Sequence, residues 1–578
     1  MNSFAEEERK PDHRTRNILI GGVAALVVLC GCLVVAVAGV IAIDPFGWNL
    51  LDQLFGGADR AAAVMPPDTG IFVGMDLLEL TPDKIGRLVD PFLAAAGEPE
   101  AQDFDSALDQ LDAAMLEEVD FDFQDDILPW LGRFGGFGVS SLVLDDYGDP
   151  EEVTWTLVLS TRDEDASEAF LLKLRDAISS ESGYAFATKS YEDVTIYELD
   201  VPDTLERVAI AQANGLVLFG AGAGAIQASI DAEKGDSLAD ADDYRTLAGE
   251  LPGNRALTFY LDLSKYAALQ QELLQNVVPT DIAGFDNASA AFSLSLTDDG
   301  LQLDTVSPVD REGMNPEQEQ MLDSFADESV ADQLFPEGTL VYLAGQRLDL
   351  VWGSIRDSMG EFVTPEEFDE SMAMFAEEFG INPDTQLFPL LDGEWAVGVL
   401  PSTAGFLAEE LEVDLGLAML AQTSDPDSLS ANLASFSSAL EQQALFVEHT
   451  SESDMESYSI SDFPQGPSLI SFGLAQGYLF VSSDAGTRGR LFGDGPSLAE
   501  SDHYREVWKA FPGGMTPVFY LNAGGMVGAI REGMQPGDRA DFDEVVGFME
   551  PISALAVASD PGEETLHTTT ILFITAAE

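Results

Sequence analysis

SLADADDYRTLAGELPGNRALTFYL, residues Ser237–Leu261, and SLAESDHYREVWKAFPGGMTPVFYL, residues Ser497–Leu521, are one stretch written twice, 260 positions apart. They align without a gap, and 11 of the 25 positions are identical, among them Asp242/Asp502, Tyr244/Tyr504, Arg245/Arg505, Pro252/Pro512 and the closing Phe-Tyr-Leu. Chance does not produce that match, so a unit of about 250 residues is duplicated. Within the stretch the spacing predicts a helix capped by Asp242 or Asp502, a stop at Pro-Gly, and a buried aromatic strand.

Working outward, the 578 residues accommodate two cores of roughly 250 residues, each large enough to fold without staples. The chain carries 103 acidic residues against 26 basic ones, a net charge of -77, yet 46% of it is hydrophobic. That combination describes a folded protein with an acidic coat rather than a disordered one. Only seven of the basic residues are lysines, and no basic cluster exists to neutralise phosphates, which excludes nucleic acid as a partner. Divalent cations are expected to associate loosely with the coat, without a specific metal site, because no D-x-[DN]-x-[DN]-G loop is present.

Asn17–Ile43 is 27 residues without a charge. As a helix it would be about 40 Å long, enough to cross a hydrocarbon core of about 30 Å. Arg9, Lys10, Arg14 and Arg16 stand before it and only Arg60 follows before residue 80, which puts the N-terminus in the cytoplasm and the bulk of the chain outside. Both cysteines, Cys30 and Cys32, fall inside this segment. Leu29-Cys30-Gly31-Cys32 faintly matches a lipoprotein box, but eleven more uncharged residues follow. The remainder has no thiol, so its stability must come from its cores.

The expected organisation is a tail (1–16), a transmembrane anchor (17–43), a juxtamembrane linker (44–63), repeat 1 (64–310), a polar connector (311–332) and repeat 2 (333–578). Each repeat opens with a strand, Ile71–Met75 or Leu340–Leu343. Helical spacing follows at Phe104–Leu116 and Phe368–Phe379, then a proline-centred stop, Leu128-Pro129-Trp130-Leu131-Gly132 or Phe388-Pro389-Leu390-Leu391-Asp392. Next come strands Thr154–Ser160 and Leu415–Leu420, each leading to an Asp that caps a helix, with Leu429, Leu433, Phe436 and Leu440 on one face of the second. Asn214-Gly215 and Gln476-Gly477 signal tight hairpins. Closing hairpins pair Ser289–Leu296 with Leu301–Val306 and Ser553–Ala558 with Leu566–Ile574. The fold class is therefore α+β: a transmembrane helix followed by two tandem homologous domains, each a mostly antiparallel sheet of eight to ten strands with interspersed helices.

Several motifs suggest chemistry. Gly220-Ala221-Gly222-Ala223-Gly224 between strand and helix imitates a dinucleotide fingerprint, but its counterpart Ser482-Ser483-Asp484-Ala485-Gly486 carries capping residues, so the shared element is a turn into a helix and no cofactor is expected. The four histidines, His13, His449, His503 and His567, accompany no recognisable hydrolase motif. Tyr244, Arg245, Tyr504 and Arg505 are the shared polar candidates, either as a repeated ligand patch or as packed tyrosines beside surface ion pairs. Trp130 reads as core, because its counterpart is Leu390. Asn287-Ala288-Ser289 fits a glycosylation acceptor.

Taken together, the N-terminal anchor, the Leu-Pro-Trp-Leu-Gly stop, Asp-x-Asp before a helix and the S-L-A-x-x-x-x-Y-R block ahead of F-Y-L resemble the bacterial family catalogued as domain of unknown function 3352. The resemblance covers most of the chain and implies a location and an architecture, with no catalytic residues to transfer.

The function expected is that of a non-enzymatic envelope protein, held in the membrane through residues 17–43 and binding an extracellular or envelope partner. An alternative is a carrier of lipid or another apolar ligand in a cradle of sheet and helices, and a third is an extracytoplasmic hydrolase. With a net charge of -77, carboxylate repulsion opposes the folded state, and salt screens it. The melting temperature is expected to rise between low and molar salt; an unchanged value in a thermal melt would contradict this.

Overall fold

The alternation of the strands builds one sheet rather than two. The chain, seen in a computed structural model, is described over residues 57–96, 121–144, 150–200, 207–266 and 289–575. The last span is interrupted at 312, 326–328, 360–362, 405–413, 444, 453–454, 462, 465, 467, 535–538 and 547–548. The expected tail, the anchor with Cys30 and Cys32, most of the linker, the helix Phe104–Leu116, His13 and the acceptor Asn287 lie outside the described residues. Among those described, no helix is long and apolar enough to cross a membrane.

The first half supplies β1 (Ile71–Asp76), β2 (Leu131–Leu144), β3 (Pro150–Thr161), β4 (Ala187–Tyr191) and β5 (Val194–Asp200). It continues with β6 (Arg207–Ala213), β7 (Leu216–Gly220), β8 (Leu257–Asp262), β9 (Ser289–Leu296) and β10 (Gly300–Pro308). The second half supplies β11 (Val341–Gln346), β12 (Glu394–Pro401), β13 (Leu415–Gln422), β14 (Phe446–Glu452) and β15 (Met455–Ser461). It closes with β16 (Ile470–Ala475), β17 (Tyr478–Ser482), β18 (Thr516–Asn522), β19 (Ile552–Pro561) and β20 (Thr565–Ile574).

In space the first ten run 4-5-6-7-3-2-1-8-9-10, and the second ten run 14-15-16-17-13-12-11-18-19-20, each strand holding the place of the one ten earlier. All pairings are antiparallel. Asn214 and Gly215 have φ of 50° and 78°, and Gln476 and Gly477 have 52° and 85°, the doubly left-handed turn that a two-residue hairpin demands.

The two halves meet where β10 pairs antiparallel with β20, from Gly300 opposite Phe573 to Pro308 opposite Thr565. At the middle of that register Asp304 lies opposite Thr569, and both are fully buried. Thr569 Oγ1 donates to Asp304 Oδ1 at 2.6 Å, His567 Nε2 lies 3.1 Å from the same oxygen, and Gln302 Nε2 donates to Oδ2 at 3.0 Å. The expectation of a separate sheet in each repeat thus differs from the structure, because the outer strands of the two halves satisfy each other's edges.

Helices lie on both faces of the sheet. On one face lie α1 (Gly57–Ala62), α4 (Ala223–Lys234) and α5 (Asp242–Gly249) in the first half, and α10 (Ala485–Leu491) and α11 (Asp502–Lys509) in the second. On the other lie α2 (Pro82–Ala96) and α3 (Glu164–Ser182), matched by α7 (Leu348–Met359) and α9 (Pro426–Gln442), with α8 (Pro365–Phe379) packed against α9. The connector contains α6 (Pro316–Ser324), and α12 (Ala523–Gly533) and α13 (Arg539–Val546) follow β18.

Asp163 caps α3 by accepting from the Ala166 amide at 3.0 Å, and Asp425 caps α9 from Ser428 at 3.1 Å, with Pro426 in the first turn. In the repeated stretch, however, Asp242 and Asp502 are the first helical residues and do not cap; the capping positions are Ala241 and Ser501. A short turn precedes each helix, and there the acid three residues on accepts from a serine amide, Asp240 from Ser237 and Glu500 from Ser497, each at 3.0 Å. A serine with an acid three positions later closes its own turn first, which pushes the helix start past it. Trp130 is 1% exposed, with its indole N–H donating to the Asp126 carbonyl at 2.8 Å. Gly398 passes under Phe335, where a Cβ would come within 2.3 Å of the ring.

The central carboxylate of the seam has no route to solvent. Asp304→Ala is expected to destabilise the protein by about 3 kcal/mol, since it strands several buried donors. Urea unfolding would show this as a lowered midpoint, and an unaltered midpoint would refute it.

Candidate functional site

Successive side chains of a strand point to opposite faces, so the registers sort the central residues into two surfaces. One surface carries Ala291, Ser293, Asp304, Thr569, Ala556 and Ala558, all buried. The opposite surface carries an unbroken cross-strand row, Leu303, Thr570, Val557, Phe519, Leu343 and Val397. Beside it runs a second row, Leu572, Leu555, Leu521, Val341, Val399 and Leu417. Phe259, Leu303, Leu343, Leu417 and Val481 on this surface are 36–45% exposed. The aromatic strand expected to be buried is therefore split: Tyr260 and Tyr520 are 1% exposed, whereas Phe259 opens to solvent at 38%.

The same surface is walled at either side. Over β3, β6 and β7, α3 seats Leu171 in a cluster with Leu157, Leu159 and Ile210; over β16 and β17, α9 seats Leu429, Leu433 and Leu440 with Phe472 and Leu479. Between these walls α2 also packs on this surface, with Ile85, Leu88 and Val89 clustered against Leu257, Leu294, Leu296 and Leu301 of β8, β9 and β10, so the open part is confined to the neighbourhood of Phe259, Leu303 and Leu343. A helical layer is about 10 Å thick. The result is a recessed trough with a floor of Leu, Val, Phe and Thr and no charged side chain. At its seam the hairpin tips are acidic, with exposed Asp298 and Asp299 between β9 and β10 at one end, and Glu563 and Glu564 between β19 and β20 at the other.

A polar feature lies on the covered face of the second half. The buried Asp484 carboxylate accepts from the Thr487 amide at 2.8 Å and hydroxyl at 2.6 Å, from Ser402 Oγ at 3.0 Å and from Ser483 Oγ at 3.1 Å. Burial by itself would raise its pKa, but these donors outweigh it and hold the carboxyl below its ordinary value. A cleft of about 710 Å³ opens beside it, lined by residues including Thr403, Asp414, Arg490 and Glu532. Its principal donors are already committed, Ser402 and Thr487 to Asp484, and Arg490 to Thr487 Oγ1 at 3.1 Å.

The first half fills the same place differently. The Glu198 side chain, reaching over from β5, accepts from the Ala223 amide at 2.9 Å and pairs with Lys189. Burial opposes its ionisation, but those contacts keep its pKa low. The helix N-terminus after the glycine-rich turn, where a pyrophosphate would sit, thus holds the protein's own carboxylate. Nothing local to the turn points to Glu198, 25 residues earlier.

The four residues singled out by their repetition do not come together. Tyr244 is buried and donates to Asp59 at 3.3 Å, while Asp59 also holds Arg255 at 2.5 Å. Tyr504 is equally buried, edge-on to Tyr342 and Tyr520. Arg245 and Arg505 lie on the surface beside Asp242 and Asp502, three residues before each. Among the histidines, His503 Nδ1 meets Tyr520 Oη at 2.7 Å, and His449 stacks on Tyr458. His567, Asp304 and Thr569 assemble the residue types of a hydrolytic triad, but acid and hydroxyl face the same ring nitrogen, and Thr569 donates to the carboxylate rather than to the imidazole. That order offers no relay from a nucleophile through a base. No group of three His, Cys, Asp or Glu side chains among the described residues could hold a metal ion.

The family described as "Protein of unknown function (DUF3352)" matches residues 23–574. No curated protein matches the chain. Two solved structures, crystal forms III and I of TP0453, are similar at 10% and 8% identity with TM-scores of 0.22 and 0.23. They cover 46% and 44% of this chain and 85% and 81% of their own, a likeness too slight to carry an argument.

Because the folded pKa of Asp484 is depressed, its contribution is complete above the ordinary carboxylate value of about 4 and is lost as pH falls through the folded one. Asp484→Asn is expected to cost about 1–2 kcal/mol at pH 7. The gap to the parent should close on acidification; a gap that stays constant in unfolding experiments down to low pH would count against it.

Proposed function

Because the chain belongs to the DUF3352 family, whose description assigns no activity, we propose from its geometry that it is a membrane-anchored, non-enzymatic binding protein that holds an apolar ligand in the trough of its sheet. The exposed floor is the observation that supports this. Large exposed apolar surfaces cost about 25 cal/mol per Å² and mark sites of interaction. The chain also has polar alternatives: its exposed edge strands read Ala-Thr-Lys-Ser-Tyr in β4 and Phe-Val-Glu-His-Thr-Ser-Glu in β14. Where strands only face water, this protein uses polar and charged residues; in the trough it uses Leu, Val and Phe.

The uncharged stretch 17–43 and the basic residues before it support an anchor with the bulk of the chain outside the cytoplasm. The one-to-one match of ten strands supports reading residues 64–310 and 333–578 as tandem homologous domains whose junction forms the trough. The carrier reading is preferred to a protein-partner reading because the floor is recessed, uncharged and poor in hydrogen-bonding groups, which suits hydrocarbon chains better than a polar polypeptide surface.

Cys30 and Cys32 are the chain's only cysteines, so in a variant with both replaced by serine a single introduced cysteine can carry a polarity-sensitive dye. With the dye at Leu343→Cys, adding oleate is expected to shift emission to the blue, while a dye at Ser190→Cys on β4 should not respond. Absence of a shift at position 343 would sink the proposal.

A further inference from the structure

We propose that residues 329–332, where the connector enters the second half, form a proton-operated latch: a proton on Asp332 docks the connector firmly on the sheet, and its loss leaves two neighbouring carboxylates that loosen it. The latch is independent of the trough. Its parts are set by the duplication. Each repeated tyrosine lies against an acid from the segment that leads into its half, Tyr244 against Asp59 of α1 and Tyr504 against Asp332 in the turn Ala331–Gln333. In the first half that acid is neutralised. Arg255, 4% exposed, holds Asp59 at 2.5 Å and is itself fixed by Thr258 Oγ1 at 2.8 Å and the Pro252 carbonyl at 2.7 Å.

The second half reverses that charge balance. Arg255 corresponds to Met515, and Phe134, opposite Asp76 in the register of β1 with β2, corresponds to Glu394, opposite Gln346 in the register of β11 with β12. An arginine is absent and an acid is present. Glu394 is 4% exposed; its Oε2 accepts from Ser329 Oγ and the Val330 amide, each at 2.8 Å, and from the Ala331 amide at 3.2 Å, while Tyr478 donates to its Oε1. Asp332 is the next residue along. The titratable groups around it are Glu394 of β12, Tyr342 of β11, Tyr478 of β17 and Tyr504 of α11, and neither carboxylate has a cation partner among the described residues.

Burial raises the Asp332 carboxyl above its ordinary value, and the Glu394 charge adds to the rise, which the Tyr504 phenol offsets only in part. A carboxyl that binds its proton more tightly when docked favours docking as pH falls through the raised pKa, and the gain is complete below the ordinary value of about 4. Above the raised pKa the gain is lost. Loosening stays local, because the chain is pinned just downstream: the Leu498 amide donates to the Phe335 carbonyl at 2.7 Å and the Glu337 amide to the Pro496 carbonyl at 2.9 Å. What responds to acidity is the grip of the connector on the second half, not the sheet.

The test is hydrogen exchange read by mass spectrometry on the full chain in detergent micelles between about pH 5 and 8, with intrinsic exchange rates divided out. Protection of peptides spanning residues 329–335 is expected to rise as pH falls, by up to about tenfold per unit, the slope that uptake of one proton gives. Peptides spanning α1, where Arg255 neutralises Asp59, should show no such slope. Asp332→Asn mimics the protonated carboxyl, so its protection should be flat with pH and at least about threefold above the parent at the basic end. Met515→Arg, which supplies the cation that the first half has, should flatten the slope as well. A flat profile in the parent, or a slope that persists in Asp332→Asn, overturns the latch; if the asparagine variant does not fold, persistence of the slope in Met515→Arg overturns it.

Discussion

The pairing of β10 with β20 is the interaction on which the rest depends. Without it each half would end in a long, nearly uncharged strand with free amides and carbonyls, a template for aggregation. With it, nine residue pairs close both edges at once, and the free edges of the whole sheet retreat to β4 and β14. The hydrogen bonds are ordinary. Their arrangement joins the two halves edge to edge in the plane of the sheet, while each hydrophobic cluster stays within one half. It also leaves a polar group, Asp304, where an apolar residue would pack, and the surrounding hydrogen bonds offset the cost of burying it.

From that join follows the unequal treatment of the two faces. Near the seam one face is built from Ala, Ser and Thr, whose short side chains let covering chain approach closely, and it is fully buried. The other is built from Leu, Val and Phe and is left half open between α3 and α9. Large side chains normally recruit cover; here α2 covers Leu257, Leu294, Leu296 and Leu301 of the first half, while Leu303 and Leu343 stay over a third exposed.

Much of this was legible from residues alone. The hairpins β9–β10 and β19–β20 follow from period-two alternation broken by acidic or glycine-containing turns, and the helix starts at Asp163 and Asp425 follow from capping chemistry. The seam was not legible, because local pattern specifies which face of a strand is apolar but not which strand lies beyond its outer edge. The same limit applies to Phe259: a large aromatic in an alternating strand reads as core, and only the distribution of helices over the sheet shows it open. The caps expected at Asp242 and Asp502 fall one residue earlier, at Ala241 and Ser501, because Asp240 and Glu500 close a separate turn with the serine three residues before. As for the trough, its residues are visible in the sequence as strands, while the site they form depends on the join.

A residue on a two-fold axis meets its own equivalent. Since β20 corresponds to β10, with Leu566 for Leu301 and Ile571 for Val306, Thr569 corresponds to Asp304, and these two are the facing pair at the centre of the register. In a strictly symmetric pair of identical halves that position would set two buried carboxylates against each other, a repulsion that burial magnifies. The two copies can share nearly every other position of the seam, but at this one they cannot both keep the carboxylate, and an acceptor facing a donor avoids that clash.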